Sequence, residues 1–108
     1  MEDTQLLKGI LEGCVLGIIR RGETYGYEIL SVLGECGFDN VSEGTLYPVL
    51  TRLDKKGYIT CRKERSPLGP VRKYYRITAA GEAQFYSFQK NYKRITECAN
   101  MILAGGEE

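Results

Sequence analysis

The chain has 108 residues, of which 43% are hydrophobic and 27% charged, and its formal net charge is +1. That length suits one compact domain, because a second hydrophobic core of useful size would need more chain. No apolar run reaches the ~18 residues of a membrane span, and the opening residues lack the basic start of a secretory signal, so we expect a cytoplasmic protein with no membrane partner. Histidine is absent, which removes the commonest general base and metal ligand and argues against an enzyme.

Cysteine spacing gives no sign of a metal or cofactor site. Four cysteines are scattered without a C-x-x-C pair: Cys14, Cys36, Cys61 and Cys98. With no histidine to complete a mixed site, we expect no zinc and no other cofactor. Small buried thiols are the simplest interpretation. Cys61 alone keeps a redox role open, because Arg62 and Lys63 beside it favour the thiolate.

The positive charge is concentrated in one segment. Residues 62–76 carry six basic side chains and one acidic side chain, so this segment has a net charge of +5 and the rest of the chain −4. A local basic patch of this kind indicates an anionic partner more specifically than the overall charge does.

Apolar residues at helical spacing predict two helices at the start of the chain. They recur from Leu6 to Ile19, which predicts one largely buried helix that ends before Gly22. Thr24 is placed to cap a second, short helix that ends at Gly37. Glycines inside the second helix lower its intrinsic propensity, so it depends on packing.

A third helix is predicted over residues 43–56, with Ser42 placed to cap it and Gly57 closing it. Pro48 lacks a backbone donor and crowds the carbonyl of residue 44, so we expect a distorted first turn. One face is apolar and carries Leu46, Val49, Leu50 and Leu53. The opposite face carries Thr45, Tyr47, Pro48, Thr51, Arg52 and Lys55.

Two segments rich in strand formers, residues 58–65 and 71–78, flank a turn signal at residues 66–70. They predict a two-stranded hairpin with a basic tip. Because side chains alternate along a strand, each face of the hairpin receives its own set. The inner face takes Ile59, Cys61, Tyr75 and Ile77, and the outer face takes Arg62, Arg72, Tyr74 and Arg76.

The last predicted helix runs from Ala79 to Leu103 and is capped by Thr78. An apolar stripe follows it at 3-4-3-4-3 spacing: Phe85, Phe88, Tyr92, Ile95, Ala99 and Ile102. Such a stripe is typical of a helix that packs along another helix. A small three-helix core cannot cover the whole stripe, so we expect a homodimer.

Three helices followed at once by a hairpin are typical of the winged helix-turn-helix, whose third helix enters the DNA major groove while the hairpin lies along the backbone. We therefore predict a mainly α fold with a small β-hairpin. Residues 1–78 form a winged helix-turn-helix DNA-binding domain, and residues 79–108 form a C-terminal dimerisation helix of the same compact unit. A basic hairpin alone is more typical of a solvated sheet edge, but its place directly after a hydroxyl-rich helix favours DNA.

Two other functions remain open at this point. The same fold serves as a protein-interaction module, with the basic hairpin docking an acidic partner in place of DNA. An enzyme would need a cleft with converging titratable groups. The carboxylates of this chain are scattered without an evident pair.

Several short motifs of the chain occur together in one known family. They are Gly26–Ile29, Gly44–Leu50 (GTLYPVL) followed by Arg52-Leu53, Lys56–Ile59, and Tyr74–Gly81. With them the chain resembles the PadR family of transcriptional regulators over nearly its whole length. It is similar to the short subclass, which has a single long C-terminal helix.

The resemblance implies a repressor that binds a palindromic promoter site as a homodimer and leaves it when a small aromatic effector binds. It also implies that the first and last helices form the dimer interface. The matched positions of the recognition helix are Ser42, Gly44, Thr45, Tyr47, Pro48 and Arg52. From side-chain chemistry alone, the further candidate DNA contacts are Thr51, Lys63, Arg65, Arg72 and Lys73.

The candidate dimer residues combine the apolar stripe with side chains of the first helix: Leu7, Ile10, Leu11, Phe85, Phe88, Tyr92, Ile95, Ala99 and Ile102. Phe88 and Tyr92, with Cys14, are candidates for lining an effector cavity at this interface. Simple packing of the interface is the alternative, because aromatic side chains at helical spacing mostly belong to a core.

Overall fold

The computed structural model describes residues 3–105, with side chains from residue 5 onward, and contains five helices and three strands in that range. The helices are α1 (Asp3–Lys8), α2 (Leu11–Ile19), α3 (Gly26–Glu35), α4 (Glu43–Lys55) and α5 (Ala79–Leu103). The strands are β1 (Thr24–Tyr25), β2 (Ile59–Arg65) and β3 (Val71–Ile77). They form one antiparallel sheet in the order β1-β3-β2. The predicted succession of helices, hairpin and long last helix is confirmed.

The predicted single first helix is wrong, because the chain breaks it into α1 and α2 at Gly9 and Ile10. The amides of these two residues donate to the carbonyls three positions earlier, at 3.3 Å and 3.0 Å, which tightens the end of α1. Glycine loses more backbone entropy in a helix interior than any other residue, so the break falls there. The apolar spacing continues across the break because both helices face one core.

The predicted two-stranded hairpin is also incomplete, since β1 adds a third strand. Thr24 lies opposite Tyr75 and Tyr25 lies opposite Tyr74. Thr24 is therefore a strand residue and not the cap of the second helix, as the sequence suggested. Its hydroxyl instead donates to the carboxylate of Glu28, and α3 begins without a side-chain cap.

Helix α4 supplies the centre of the core. Its four predicted apolar residues are at most 4% exposed, which confirms the predicted face: Leu46, Val49, Leu50 and Leu53. The helix runs without interruption through Pro48, and it ends where Gly57 adopts a φ of 79°, a conformation that favours glycine. Ser42 occupies the N-cap position, but its side chain makes no capping bond; the hydroxyl lies 3.3 Å from that of Thr45.

The base of α5 is fixed to the end of α4 and to the hairpin. The Thr78 hydroxyl accepts a hydrogen bond from the Gly81 amide at 3.0 Å and donates to the Gly57 carbonyl at 2.7 Å, so the predicted cap is confirmed. Gly81 packs so closely on the Tyr58 carbonyl that a Cβ would overlap the oxygen. The glycine is therefore required by this close approach.

We expect Gly81→Ala to lower the free energy of unfolding by about 1–3 kcal/mol, because the added methyl group must displace backbone. Gly34→Ala on α3 is the matched control, since no atom lies within 4 Å of its Cβ position. The control should raise the free energy of unfolding by about 0.5–1 kcal/mol through reduced backbone entropy. Urea unfolding followed by circular dichroism measures both, and a stabilised Gly81→Ala variant would contradict the close approach.

Among residues 3–105, no helix combines the length and the apolar character needed to cross a membrane.

Candidate nucleic-acid interface

A groove of about 880 Å³ lies between the start of α4 and the hairpin. The helix side contributes Glu43 and Tyr47, and the hairpin side contributes Arg65, Arg72 and Lys73 among others. The fold therefore brings side chains from the two predicted DNA-contacting segments to one open surface, although about 20 residues of sequence separate them.

The exposed side of α4 is ordered by contacts that the sequence did not indicate. Tyr47 is 42% exposed, and its hydroxyl lies over Gly26 at the start of α3, where a Cβ would stand 2.7 Å away. The Thr51 hydroxyl donates to the Tyr47 carbonyl at 3.0 Å. Thr45 and Thr51 are both exposed, so their oxygens remain accessible as acceptors.

Arg52 lies at the far end of α4 and is held by α2. Its Nε is 3.6 Å from the Glu12 carboxylate, which also receives the Lys56 ammonium at 3.3 Å. Half of the Arg52 side chain remains exposed, at 53%. A phosphate that approaches Arg52 must therefore compete with Glu12, whose role no sequence motif indicated because 44 residues separate it from Lys56.

Three of the hairpin cations, Lys63, Arg65 and Lys73, lie on one face of the hairpin. Lys63 stands opposite Lys73 in the strand register, and Arg65 stands opposite Val71. By alternation these cations share the face of the half-buried Cys61. Within the described part of the chain none of them forms an ion pair. Like charges directly opposite each other destabilise a sheet, so folding stability alone does not account for this arrangement.

On the other face, two of the three arginines, Arg62 and Arg76, are paired with a carboxylate. The Glu23 carboxylate accepts hydrogen bonds from Arg62 at 2.8 Å and 2.9 Å and from Arg76 at 3.0 Å. The Arg72 guanidinium lies 4.3 Å from the centroid of the Tyr25 ring. The two predicted faces of the hairpin therefore differ in burial and also in whether their cations are paired with carboxylates. Sequence gave no sign of Glu23, because it lies 39 and 53 residues from its partners.

We expect the Glu23 ion pairs to make folding stability fall at acid pH. Hydrogen bonds from Arg62, and then from Arg76, lower the pKa of Glu23 from 4.5 to about 2. A carboxyl with a depressed pKa in the folded state stabilises fully above its unfolded pKa, and this contribution disappears as pH falls through the folded pKa. Glu23→Gln should therefore be less stable than the natural chain at pH 7, and the difference should shrink between pH 4.5 and pH 2.

Urea unfolding at a series of pH values measures the Glu23 effect. Glu35→Gln is the control, because Glu35 is exposed and forms no ion pair within residues 5–105. A stability difference for Glu23→Gln that stays constant down to pH 2 would contradict the assigned pKa.

The predicted dimer residues fall into three groups. Leu7 and Leu11 are 7% and 3% exposed and already belong to the core of the protomer, while Ile10 packs partly against that core. Phe85 and Phe88 contact Gly17 and Gly13 of α2. The third group stays exposed or half-exposed on the part of α5 that leaves the core: Tyr92, Ile95, Ala99 and Ile102.

The cysteines differ from the simple prediction of buried thiols. Cys36 and Cys98 are exposed, and Cys14 and Cys61 are half-buried. Cys36 lies at the end of α3 and Cys98 on the protruding part of α5, where the protomer has no core to cover them. Burial, with a smaller effect of Cys36, raises the pKa of Cys14, which disfavours its thiolate. Of the effector candidates, Phe88 and Tyr92 are neighbours, with ring centroids 5.8 Å apart.

The fold is that of a winged helix-turn-helix protein. It has a helical core, the recognition-type helix α4 beside an antiparallel hairpin, and a long terminal helix. We call the hairpin of β2 and β3 the wing. A sequence model described as the Transcriptional regulator PadR-like family matches residues 15–87. The chain belongs to this family and is a transcriptional regulator, which confirms the expected class over an enzyme.

Similarity to known relatives covers most of the chain and supports this assignment. A crystal structure of a PadR-like transcriptional regulator from Bacillus cereus is 44% identical with a TM-score of 0.81, and the match covers 94% of this chain and 98% of that one. The negative transcriptional regulator PadR of Bacillus subtilis is 29% identical over 82% of this chain and 50% of its own length. Its crystal structure in complex with operator DNA matches with 29% identity and a TM-score of 0.66, over 74% of this chain and 46% of that chain.

Proposed function

We propose that this regulator binds double-stranded DNA through the groove between α4 and the wing, and represses transcription from a palindromic promoter site as a homodimer. The observation that carries the proposal is a cluster of hairpin cations that form no ion pair within the described residues. Arg65 and Lys73 line the groove beside the start of α4, and Lys63 lies opposite Lys73. The complex of the Bacillus subtilis relative with operator DNA supports the same partner.

Each part of the interface has a distinct chemical task. The three unpartnered cations neutralise phosphates and release counterions, which supplies affinity without sequence preference. Thr45 and Tyr47 reach base edges in the major groove, where hydroxyls both donate and accept. Arg72 stacks on Tyr25 and adds positive charge at the wing margin. At α4, the residues that contact the DNA sugar-phosphate backbone are Ser42, Gly44, Pro48, Thr51 and Arg52.

The homodimer forms through the exposed stripe of α5. Ile95 and Ile102 are 54% and 79% exposed, and Tyr92 continues the same stripe toward the core. A second copy of the chain offers the matching stripe. The dimer then carries two DNA-binding domains, which we call the reading heads, related by a two-fold axis. This arrangement suits a palindrome whose half-sites lie about one helical turn apart, ~34 Å. In this arrangement residues 1–78 read DNA and residues 79–108 join the protomers.

A small aromatic effector is the proposed ligand of the dimer, with Cys14, Phe88 and Tyr92 at its site. The neighbouring rings of Phe88 and Tyr92 offer a stacking surface for a flat molecule. Such a site would lie between the two reading heads of the dimer. Because the regulator acts on DNA, we place it in the cytoplasm, where the operator is.

Selection of bound duplexes from a random DNA pool tests the proposed function. We expect enrichment of one palindromic sequence, with binding that weakens steeply as salt rises from ~50 to ~200 mM. Gel retardation with the enriched duplex and a scrambled duplex of the same length gives the specificity ratio. No retardation at low salt would overturn the proposal and favour a protein-interaction module.

A further inference from the structure

Arg20 joins the winged domain to α5 through three kinds of contact. It follows α2 directly, and its Nε lies 3.1 Å from the carboxylate of Glu82. A terminal nitrogen of the same guanidinium donates to the Tyr86 hydroxyl at 2.7 Å. The guanidinium carbon also lies 4.8 Å and 5.2 Å from the ring centroids of Phe85 and Tyr86. We call Arg20, Glu82 and Tyr86 the Arg20 clamp.

The first turn of α5 is held in place by the Thr78 hydroxyl, which donates to the Gly57 carbonyl, and by the close packing of Gly81 on Tyr58. The direction of the helix beyond that turn depends on contacts further along it. Phe85 and Phe88 rest on Gly17 and Gly13 of α2, and apolar contact of this kind is non-directional. Hydrogen bonds lose strength steeply when their angle changes, so the two bonds of Arg20 resist rotation of α5. The clamp holds the first two turns of α5, from Glu82 directly after Gly81 to Tyr86 about one turn further on.

Beyond Phe88, which packs on Gly13 of α2, α5 leaves the core and acts as a lever. The helix has 25 residues, so at 1.5 Å per residue it is ~37 Å long, and its last turns are exposed. A tilt of ~10° at the base moves the far end by ~6 Å, which compares with a rise of ~3.4 Å per base pair. Small changes in the angle of α5 are therefore large on the scale of DNA register.

We propose that the Arg20 clamp sets the separation of the two reading heads and thereby selects the half-site spacing of the operator. The proposal rests on the proposed function, since it needs a dimer joined through α5 that binds two half-sites. Arg20 is a positioning residue: it touches no DNA, and it acts through the angle between α5 and the winged domain.

The first test measures that angle without DNA. Spin labels on Leu68→Cys at the wing tip and Met101→Cys near the end of α5 report one distance within a chain, because both positions are highly exposed. The four native cysteines are replaced by serine, and labelled chain is diluted into unlabelled chain. We expect a narrow distance distribution for the natural clamp and a broadened or shifted one for Arg20→Met.

Matched variants separate the clamp from general damage. Tyr86→Phe removes only the hydroxyl that Arg20 binds and should broaden the distribution less than Arg20→Met does. Arg21→Met removes the neighbouring arginine, which is exposed and forms no ion pair among residues 5–105, and should behave as the natural chain. Unchanged distributions for both clamp variants overturn the proposal.

The second test measures spacing selection. Duplexes carry two copies of the selected half-site with spacers that differ by one base pair. We expect Arg20→Met to reduce the preference for the best spacer by roughly fivefold or more, the scale of a modest coupling between sites, while half-site sequence and dimerisation stay the same. Retained spacing preference overturns the proposal. A broadened distance distribution in a chain that enriches no DNA overturns the proposed function and, with it, the spacing role.

Discussion

Replacing Lys63, Arg65 and Lys73 together with glutamine should weaken operator binding by roughly a hundredfold or more and should flatten its dependence on salt. These three cations share one face of the hairpin and form no ion pair within residues 5–105, and the proposed dimer presents six of them. Each phosphate contact contributes about 0.9 to the slope of log affinity against log salt, so the slope should fall by about 5. Titration of a fluorescent operator at several salt concentrations measures both quantities.

A control variant with the same loss of charge guards against a purely global electrostatic effect. Lys90, Lys93 and Arg94 are exposed on α5, on the side of the helix away from the apolar stripe. Their replacement by glutamine should leave the salt slope close to that of the natural chain. Equal losses of slope in the two triple variants would mean that the wing is not the phosphate-binding surface.

The second large effect is expected from Ile95→Glu combined with Ile102→Glu. Both side chains are exposed in the protomer, so the variant should keep its helical content and its unfolding midpoint at low concentration. Two carboxylates in the apolar stripe should prevent association, because burying unpaired charge is costly. Operator affinity should fall by roughly 10²–10⁴-fold, since the second half-site loses its effective concentration.

Analytical ultracentrifugation at micromolar concentration measures the oligomeric state of this variant, and fluorescence anisotropy measures its operator affinity. Gln89→Glu with Asn100→Glu is the control: it adds the same charge at exposed positions of α5 outside the stripe. The control should remain dimeric. A dimeric Ile95→Glu, Ile102→Glu variant would rule out the stripe as the interface.

The parts of the fold that depend on local chemistry were predictable. Helix α5 begins and ends where the Thr78 cap and the apolar stripe predict. The apolar face of α4 and the glycine that closes it also follow from spacing and backbone preference. In each case the determining residues lie within a few positions of one another, so propensity, capping and periodicity all describe the same short segment.

The errors arise where distant residues meet. Strand β1 has only two residues, too few for a periodic pattern, and it exists because β3 offers it an open edge. The break at Gly9 is hidden by apolar spacing that continues across it. That Leu7 and Leu11 lie in the core of the protomer likewise follows from packing, because spacing shows an apolar face without showing what covers it.

For the candidate interface, sequence determined which residue types are present and in what order: hydroxyls on the third helix, then cations on a hairpin. Tertiary structure alone decided which cations are free. Glu23 binds Arg62 and Arg76, and Glu12 binds Arg52 and Lys56, whereas Lys63, Arg65 and Lys73 form no ion pair in the described part of the chain. Charge is a property of each residue, but its neutralisation depends on distances of a few ångströms between residues far apart in the chain, and folding sets those distances.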